Sequence, residues 1–117
     1  SLYDRRPYIV LTEDGITEMF TIRGQIEWEA IRYADDFYFR GQYWVRLLLE
    51  SNYKPQLIRP AWFWRFDRLY ESKGVKAVYL RTMGLEMDSM QLVALIRRMK
   101  EADVPGRIEL LNGCLLK

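Results

Sequence analysis

The hydrophobic and polar positions along the chain predict both strands and helices. Residues 8–12 are apolar, aromatic and β-branched, which is typical of a strand, and residues 19–22 repeat the pattern. Glu13, Asp14 and Gly15 lie between the two runs and form a turn signal. We therefore expect an N-terminal β-hairpin.

The next stretch gives a less definite pattern. Apolar positions in residues 26–37 fit helical spacing, but the alternation of Ile26, Trp28 and Ala30 means that a strand fits the first half almost as well, so both remain open. Gly41 breaks this pattern. Residues 42–51 then predict a helix whose apolar face carries Tyr43, Trp44, Leu47 and Leu48.

Residues 60–73 predict a clearer helix. Pro60 suits the first helical turn, where its missing N–H is not needed, and Gly74 suits the position just after the helix end. Apolar residues recur at helical spacing and form one aromatic stripe, which consists of Trp62, Phe63, Phe66, Leu69 and Tyr70.

The last third of the chain predicts a βαβ unit. Residues 75–80 fit a strand, and residues 89–102 fit a helix that Asp88 caps. Val104-Pro105-Gly106 is interpreted as the helix end, and residues 107–111 fit a further strand. Two parallel strands joined by a right-handed crossover are expected from this order. The predicted buried stripe of the helix contains Leu92, Leu95, Ile96 and Met99.

These elements together predict an α/β (or α+β) fold. We expect a small mixed sheet flanked by helices, with the N-terminal hairpin, central helices and the C-terminal right-handed βαβ unit. A length of 117 residues fits a single domain over residues 1–117. The chain begins at Ser1 without an initiator methionine and ends on an apolar stretch, which leaves open whether it is a fragment of a longer protein.

The composition excludes several kinds of catalytic site. The absence of histidine excludes Ser-His-Asp catalysis and His-ligated zinc. The single cysteine, Cys114, excludes an internal disulfide and fits a reducing compartment, so we expect a cytoplasmic protein. Paired carboxylates such as Glu86 and Asp88 have no glycine-rich phosphate loop nearby. We therefore expect no catalytic residues, no metal and no cofactor.

Basic and aromatic residues are concentrated in the middle of the chain. Residues 37–81 carry nine basic and three acidic side chains, together with 12 of the 17 aromatic residues. Proteins that bind single-stranded nucleic acid use this combination for phosphate contacts and base stacking. A buried aromatic stripe with a solvated basic face explains the pattern more simply, because neither an RNP motif nor helix-turn-helix spacing accompanies it.

Trp64 departs from the aromatic stripe of the predicted helix. Helical residues follow each other at 100°, so Trp64 lies about 100° from Phe63 and about 160° from Phe66. Arg65 and Arg68 lie on the same side of the helix as Trp64. We predict that Trp64, Arg65 and Arg68 contribute to an exposed patch that binds a partner.

Two segments resemble the STAS domain family. The strand and glycine within residues 20–37 resemble an early strand of that family and the turn after it, and residues 75–111 resemble its next strand, helix and strand, with Asp88-Ser89 at the helix start. The resemblance implies a mixed sheet flanked by helices, a regulatory protein partner and phosphorylation at Ser89. Arg81-Thr82 stands where the family has an acidic residue.

The function predicted from these observations is that of a non-enzymatic protein-interaction or regulatory domain. The expected partner is another protein or a second copy of the chain. The alternative is a nucleic-acid-binding module that uses the basic, aromatic segment 37–81. We expect no membrane partner, because no apolar stretch approaches the length of about 18 residues that a membrane span needs.

Overall fold

The structure of the chain is a computed structural model. It describes residues 9–19, 22–39, 41–50, 52–53, 56–57, 73–82, 85 and 87–115. Almost all of the predicted helix over residues 60–73 lies outside these ranges. Trp64, Arg65 and Arg68 lie outside them as well, so the predictions for this helix and patch stay predictions.

An N-terminal hairpin forms as predicted, but its predicted return strand is wrong. Strand β1 (Ile9–Leu11) pairs antiparallel with β2 (Gly15–Glu18), whereas the sequence suggested a return strand from residue 19. The Thr12 hydroxyl accepts hydrogen bonds from the backbone N–H groups of Asp14 and Gly15, at 3.2 and 3.3 Å. These local hydrogen bonds stabilise a short turn directly after β1.

A third strand and a short helical turn fasten the hairpin to the rest of the chain. Strand β2 also pairs with β4 (Gln25–Glu27), and a Cβ atom on Gly15 would lie 2.2 Å from a carbonyl oxygen of β4. Only glycine fits at that close approach. In the 3₁₀ turn that follows (Trp28–Ala30), the fully buried Trp28 donates from Nε1 to the carbonyl oxygen of Thr12 at 2.8 Å.

A long β-hairpin follows, so the predicted helix over residues 42–51 is wrong. Strand β5 (Ile31–Phe39) pairs antiparallel with β6 (Gln42–Glu50), and the ambiguous residues 26–37 are mostly strand. Both faces of β6 are covered, so its apolar residues do not simply alternate with polar ones and imitate helical spacing. The apolar residues of β6 are Val45, Leu47 and Leu49 on one face and Trp44 and Leu48 on the other.

The remaining strands are also antiparallel. Strand β8 (Val75–Arg81) confirms the predicted strand and completes a sheet in the order β5-β6-β8. Strands β3 (Ile22–Arg23) and β7 (Gln56–Leu57) form a separate two-stranded sheet. Every pairing among the described strands is antiparallel, so the predicted mixed sheet is not formed there and the fold class is α+β.

Helix α1 (Ser89–Glu101) confirms the predicted C-terminal helix and its cap. Asp88 accepts a hydrogen bond from the Gln91 backbone N–H at 2.8 Å, and the Gln91 side chain accepts one from the Asp88 N–H at 3.1 Å. This reciprocal pair is a capping box. Within the predicted stripe, Leu95 is only partly buried, and the fully buried members are Leu92, Ile96 and Met99.

The predicted strand over residues 107–111 is wrong, because these residues belong to helix α2 (Val104–Leu115) and no βαβ unit forms. The Asp103 carboxylate accepts a hydrogen bond from the Gly106 N–H at 2.9 Å, as an N-cap residue does. Pro105 lies in the first turn, where a helix does not need its N–H. The proline and glycine therefore begin a helix.

Arg107 joins α2 to the rest of the domain. Its side chain is buried, and its Nε donates to the carbonyl oxygen of Met99 at 2.7 Å. Its Nη1 donates to the Glu13 carbonyl oxygen and to the Glu29 carboxylate, both at 3.2 Å. The Met99 carbonyl belongs to the last turn of α1, which lacks intrahelical donors. One side chain thus connects both helices, the β1–β2 turn and the 3₁₀ turn.

Apolar side chains lie on both faces of the β5-β6-β8 sheet. One face packs in the main core with α1 and the N-terminal strands. The opposite face carries a smaller group that we call the second cluster, in which Trp44, Ala77 and Tyr79 are buried and Phe37, Phe39 and Leu48 are partly buried.

Candidate functional site

The tip of the β5–β6 hairpin carries an exposed pair of tyrosines. Tyr38 and Tyr43 are cross-strand neighbours whose ring centroids lie 4.9 Å apart at an edge-to-face angle of 64°. Their exposed fractions are 60% and 52%, although each ring covers part of the other. Phe39 pairs with Gln42 next to the turn, and Gly41 there has φ +85°, a conformation that glycine adopts without strain.

The second cluster anchors this tip from the other face of the sheet. Phe37 lies 5.9 Å from Phe39 in a nearly parallel stack and 5.4 Å from the buried Tyr79 in a tilted contact. Because side chains alternate between faces along a strand, Phe37 and Phe39 point away from the face that carries Tyr38. The tip therefore combines anchored phenylalanines with exposed tyrosines.

A charge-compensated arginine lies next to the anchor. Arg46 donates from Nε and Nη2 to the two oxygens of Asp35, at 2.9 and 2.5 Å, and its guanidinium carbon lies 5.2 Å from the centroid of the Phe37 ring. A bidentate pair of this kind is strong and directional. Arg46 is one of the nine basic residues counted between residues 37 and 81, and its charge is matched by Asp35.

The hairpin tip is also tied to the segment that leads into α1. The Thr82 hydroxyl donates to the carbonyl oxygen of Tyr43 at 2.6 Å, and Trp44 pairs with Arg81 across the strands. Seven residues after Thr82, Ser89 begins α1 with 7% of its surface exposed. The predicted phosphorylation of Ser89 stays a prediction, and it would require this first helical turn to open.

Among the described residues, two ionisable groups have shifted pKa values, and both lie away from the tip. A backbone hydrogen bond is the main cause that lowers the pKa of Glu29; burial opposes it, and the hydrogen bond and charge of Arg107 lower the pKa further. Burial and the charge of Glu27 raise the pKa of Tyr53. Within the described ranges, no three Cys, Asp or Glu side chains are grouped as metal ligands. No helix in those ranges has the length and apolar character needed to cross a membrane.

The tyrosine pair was missed in the sequence because residues 42–51 were interpreted as a helix. The available signal was a run of aromatic residues on both sides of Gly41, which is typical of a β-hairpin with a short turn. Because Gly41 was interpreted as a break before a helix, Tyr38 and Tyr43 were assigned to separate elements. The hairpin brings these two residues together.

Comparisons with known proteins leave the family open. No family model, no curated protein and no solved structure matches the chain. The resemblance to the STAS family is therefore neither supported nor contradicted by a related protein. Its last expected strand, at residues 108–111, is part of helix α2.

Proposed function

We propose that the chain is a non-enzymatic protein-interaction or regulatory domain, which binds another protein through the tip of the β5–β6 hairpin. The observation that carries this proposal is the exposed tyrosine pair, Tyr38 and Tyr43, on an anchored hairpin. Tyrosine is enriched among residues that dominate binding energy at interfaces. It supplies a large amphipathic surface with few rotatable bonds to immobilise.

The anchoring supports a binding role because it lowers the entropic cost of association. Ordering a mobile side chain at an interface costs about 0.5–1.5 kcal/mol. The tyrosine rings already contact each other, and the strands beneath them are held by Phe37 and by the Asp35–Arg46 pair. A partner would therefore meet a surface that is largely organised in advance.

Nucleic acid binding through segment 37–81 is the alternative proposal. Arg46 weakens it, since Asp35 compensates its charge. Trp64, Arg65 and Arg68 remain a second proposed contact region for either partner. We also propose a reducing, cytoplasmic location, because the chain has a single cysteine.

The test compares the chain with its Tyr38→Ala/Tyr43→Ala variant. Each protein is immobilised and incubated with untreated and with nuclease-treated cell extract, at low and at high salt. Proteins that bind are identified and then titrated individually. We expect at least one protein that the double variant binds about 30-fold more weakly, which corresponds to about 2 kcal/mol. A Trp64→Ala/Arg65→Ala/Arg68→Ala variant tests the second region in the same way.

The control is Ile108→Ala, which shortens an exposed apolar side chain on α2 away from the tip. It should bind as the unaltered chain does, and circular dichroism should show that all variants are folded. Equal binding by the double variant and the unaltered chain would contradict the role of the tip. Binding that disappears after nuclease treatment and falls steeply with salt would instead favour the nucleic acid alternative.

A further inference from the structure

A cleft with basic side chains lies between the start of β5 and the C-terminal part of α1. Its volume is ≈ 220 Å³. The buried side chains of Ile31, Ala34 and Ile96 form its apolar part. The polar lining consists of Arg32, Tyr33, Arg97, Lys100 and Glu101.

Two residues of β5 hold the Arg97 side chain in place at this cleft. Its Nε donates to the carbonyl oxygen of Ala34 at 3.0 Å, and its Nη2 donates to the Tyr33 hydroxyl at 3.1 Å. Its guanidinium carbon also lies 5.1 Å from the centroid of the Tyr33 ring. These contacts occupy two of the five N–H groups of an arginine, so donors remain for a ligand. The guanidinium is oriented before any ligand arrives.

Positive charge exceeds negative charge around the cleft. The lining contains three cations, Arg32, Arg97 and Lys100, and one carboxylate, Glu101. Glu50 approaches Arg32 only to 3.8 Å, and both side chains are about half exposed (50% and 48%), so this pair neutralises the cleft weakly. Among the described residues, Lys100 has no carboxylate within ion-pair distance. Its charge helps to lower the pKa of Glu29, but the Glu29 carboxylate is already bonded to Arg107.

The C-terminus of α1 reduces the positive charge of the cleft. The C-terminus of a helix carries about half a unit of negative charge, and basic residues in the last turn commonly compensate it. Arg97, however, directs its Nε to the Ala34 carbonyl of β5 and not to a carbonyl of its own helix. Three cations against one carboxylate and about half a unit of dipole charge leave the cleft positive.

We infer that this cleft binds the phosphate group of a small phosphate monoester. A phosphate dianion has three terminal oxygens, which suit the N–H donors of the three cations that line the cleft, Arg32, Arg97 and Lys100. The apolar part of the cleft would contact the organic part of the ester. Because drug-sized ligands occupy about 300–1,000 Å³, a cleft of ≈ 220 Å³ limits the ligand to a few carbon atoms beyond the phosphate. The site is separate from the tyrosine pair at the hairpin tip.

The test titrates the ¹⁵N-labelled chain with glycerol phosphate, inorganic phosphate and acetate, and follows backbone amide shifts. We expect glycerol phosphate to bind most tightly and to shift the amides of residues 31–34 and 96–101. Arg97→Gln and Lys100→Gln should each weaken binding by at least about tenfold, because each removes a charged donor. Glu101→Gln should strengthen binding by about two- to fivefold, because it removes a repelling charge.

The matched control is Arg98→Gln, which removes a charge from the same helical turn at an exposed position outside the cleft lining. It should change the affinity by less than about threefold. An equal loss in Arg98→Gln and Lys100→Gln would overturn the site, and so would equal affinity for inorganic phosphate, acetate and the ester. Lys100→Gln keeps the test decisive if Arg97→Gln unfolds, because Lys100 has no described hydrogen bond to lose.

Discussion

Replacing the buried Arg107 is expected to destabilise the domain more than any change at its exposed ion-pair partner. Arg107→Met keeps much of the packing volume but removes the hydrogen bonds to the carbonyl oxygens of Met99 and Glu13. A hydrogen bond from a charged donor contributes about 1.5–3 kcal/mol. The pair with Glu29 adds less than about 1 kcal/mol, because the Glu29 side chain is 69% exposed and solvent screens it. We therefore expect a loss of about 3–5 kcal/mol for Arg107→Met.

Urea unfolding followed by tryptophan fluorescence measures this loss, since Trp28 is fully buried and reports on the main core. Arg107→Lys should lose about 1–3 kcal/mol, because one ammonium replaces some of the bonds that the planar guanidinium makes. Glu29→Gln is the matched control and should change stability by less than about 0.5 kcal/mol. The reasoning is refuted if Arg107→Met unfolds within about 0.5 kcal/mol of the unaltered chain, or if Glu29→Gln costs as much.

Two further predictions concern stability. Ile96→Ala should cost about 2–5 kcal/mol in urea unfolding, and the partly buried Leu95→Ala clearly less; equal costs would contradict the observed orientation of α1. The Tyr53 hydroxyl donates to the Gln25 carbonyl oxygen at 2.9 Å, and burial raises the pKa of this tyrosine above 10.0. Its contribution to the free energy of unfolding should therefore be constant below pH 10.0. It should be lost as the pH rises through the folded-state pKa above that value. Unfolding measured at increasing alkaline pH should lose this dependence in Tyr53→Phe, and an unchanged profile would show that other groups cause it.

Elements with complete local signals could be predicted from the sequence. Helix α1 has a capping residue, its reciprocal partner and apolar residues at helical spacing, so Asp88, Leu92 and Ile96 indicated it correctly. Strand β8 and the first hairpin also carried their signals in consecutive residues. The prediction for strand β6 was wrong because Trp44 and Leu48 are covered on the face opposite the main core. Apolar residues on both faces hide the alternation that indicates a strand.

Helix α2 and the candidate sites could not be predicted, because they depend on contacts that a local sequence pattern does not indicate. Val104-Pro105-Gly106 fits both a helix end and a helix start, and the choice depends on the bond between Asp103 and Gly106. Arg97 and the Tyr33 hydroxyl that it meets are separated by 64 residues, so no local pattern indicates their contact. The tyrosine pair depends on the register of a hairpin that was itself predicted to be helical.

The contact between Arg107 and Glu13 also affects how the domain can fold during its synthesis. The two residues are separated by 94 positions, and a ribosome adds about 5–20 residues per second. The β1–β2 hairpin is therefore synthesised about 5–20 s before Arg107. During this interval its turn lacks the arginine, and Ile16 of β2 lacks the α1 residues that share the main core with it. We therefore expect the nascent N-terminal half to be more accessible to chaperones and proteases until helix α2 has been made.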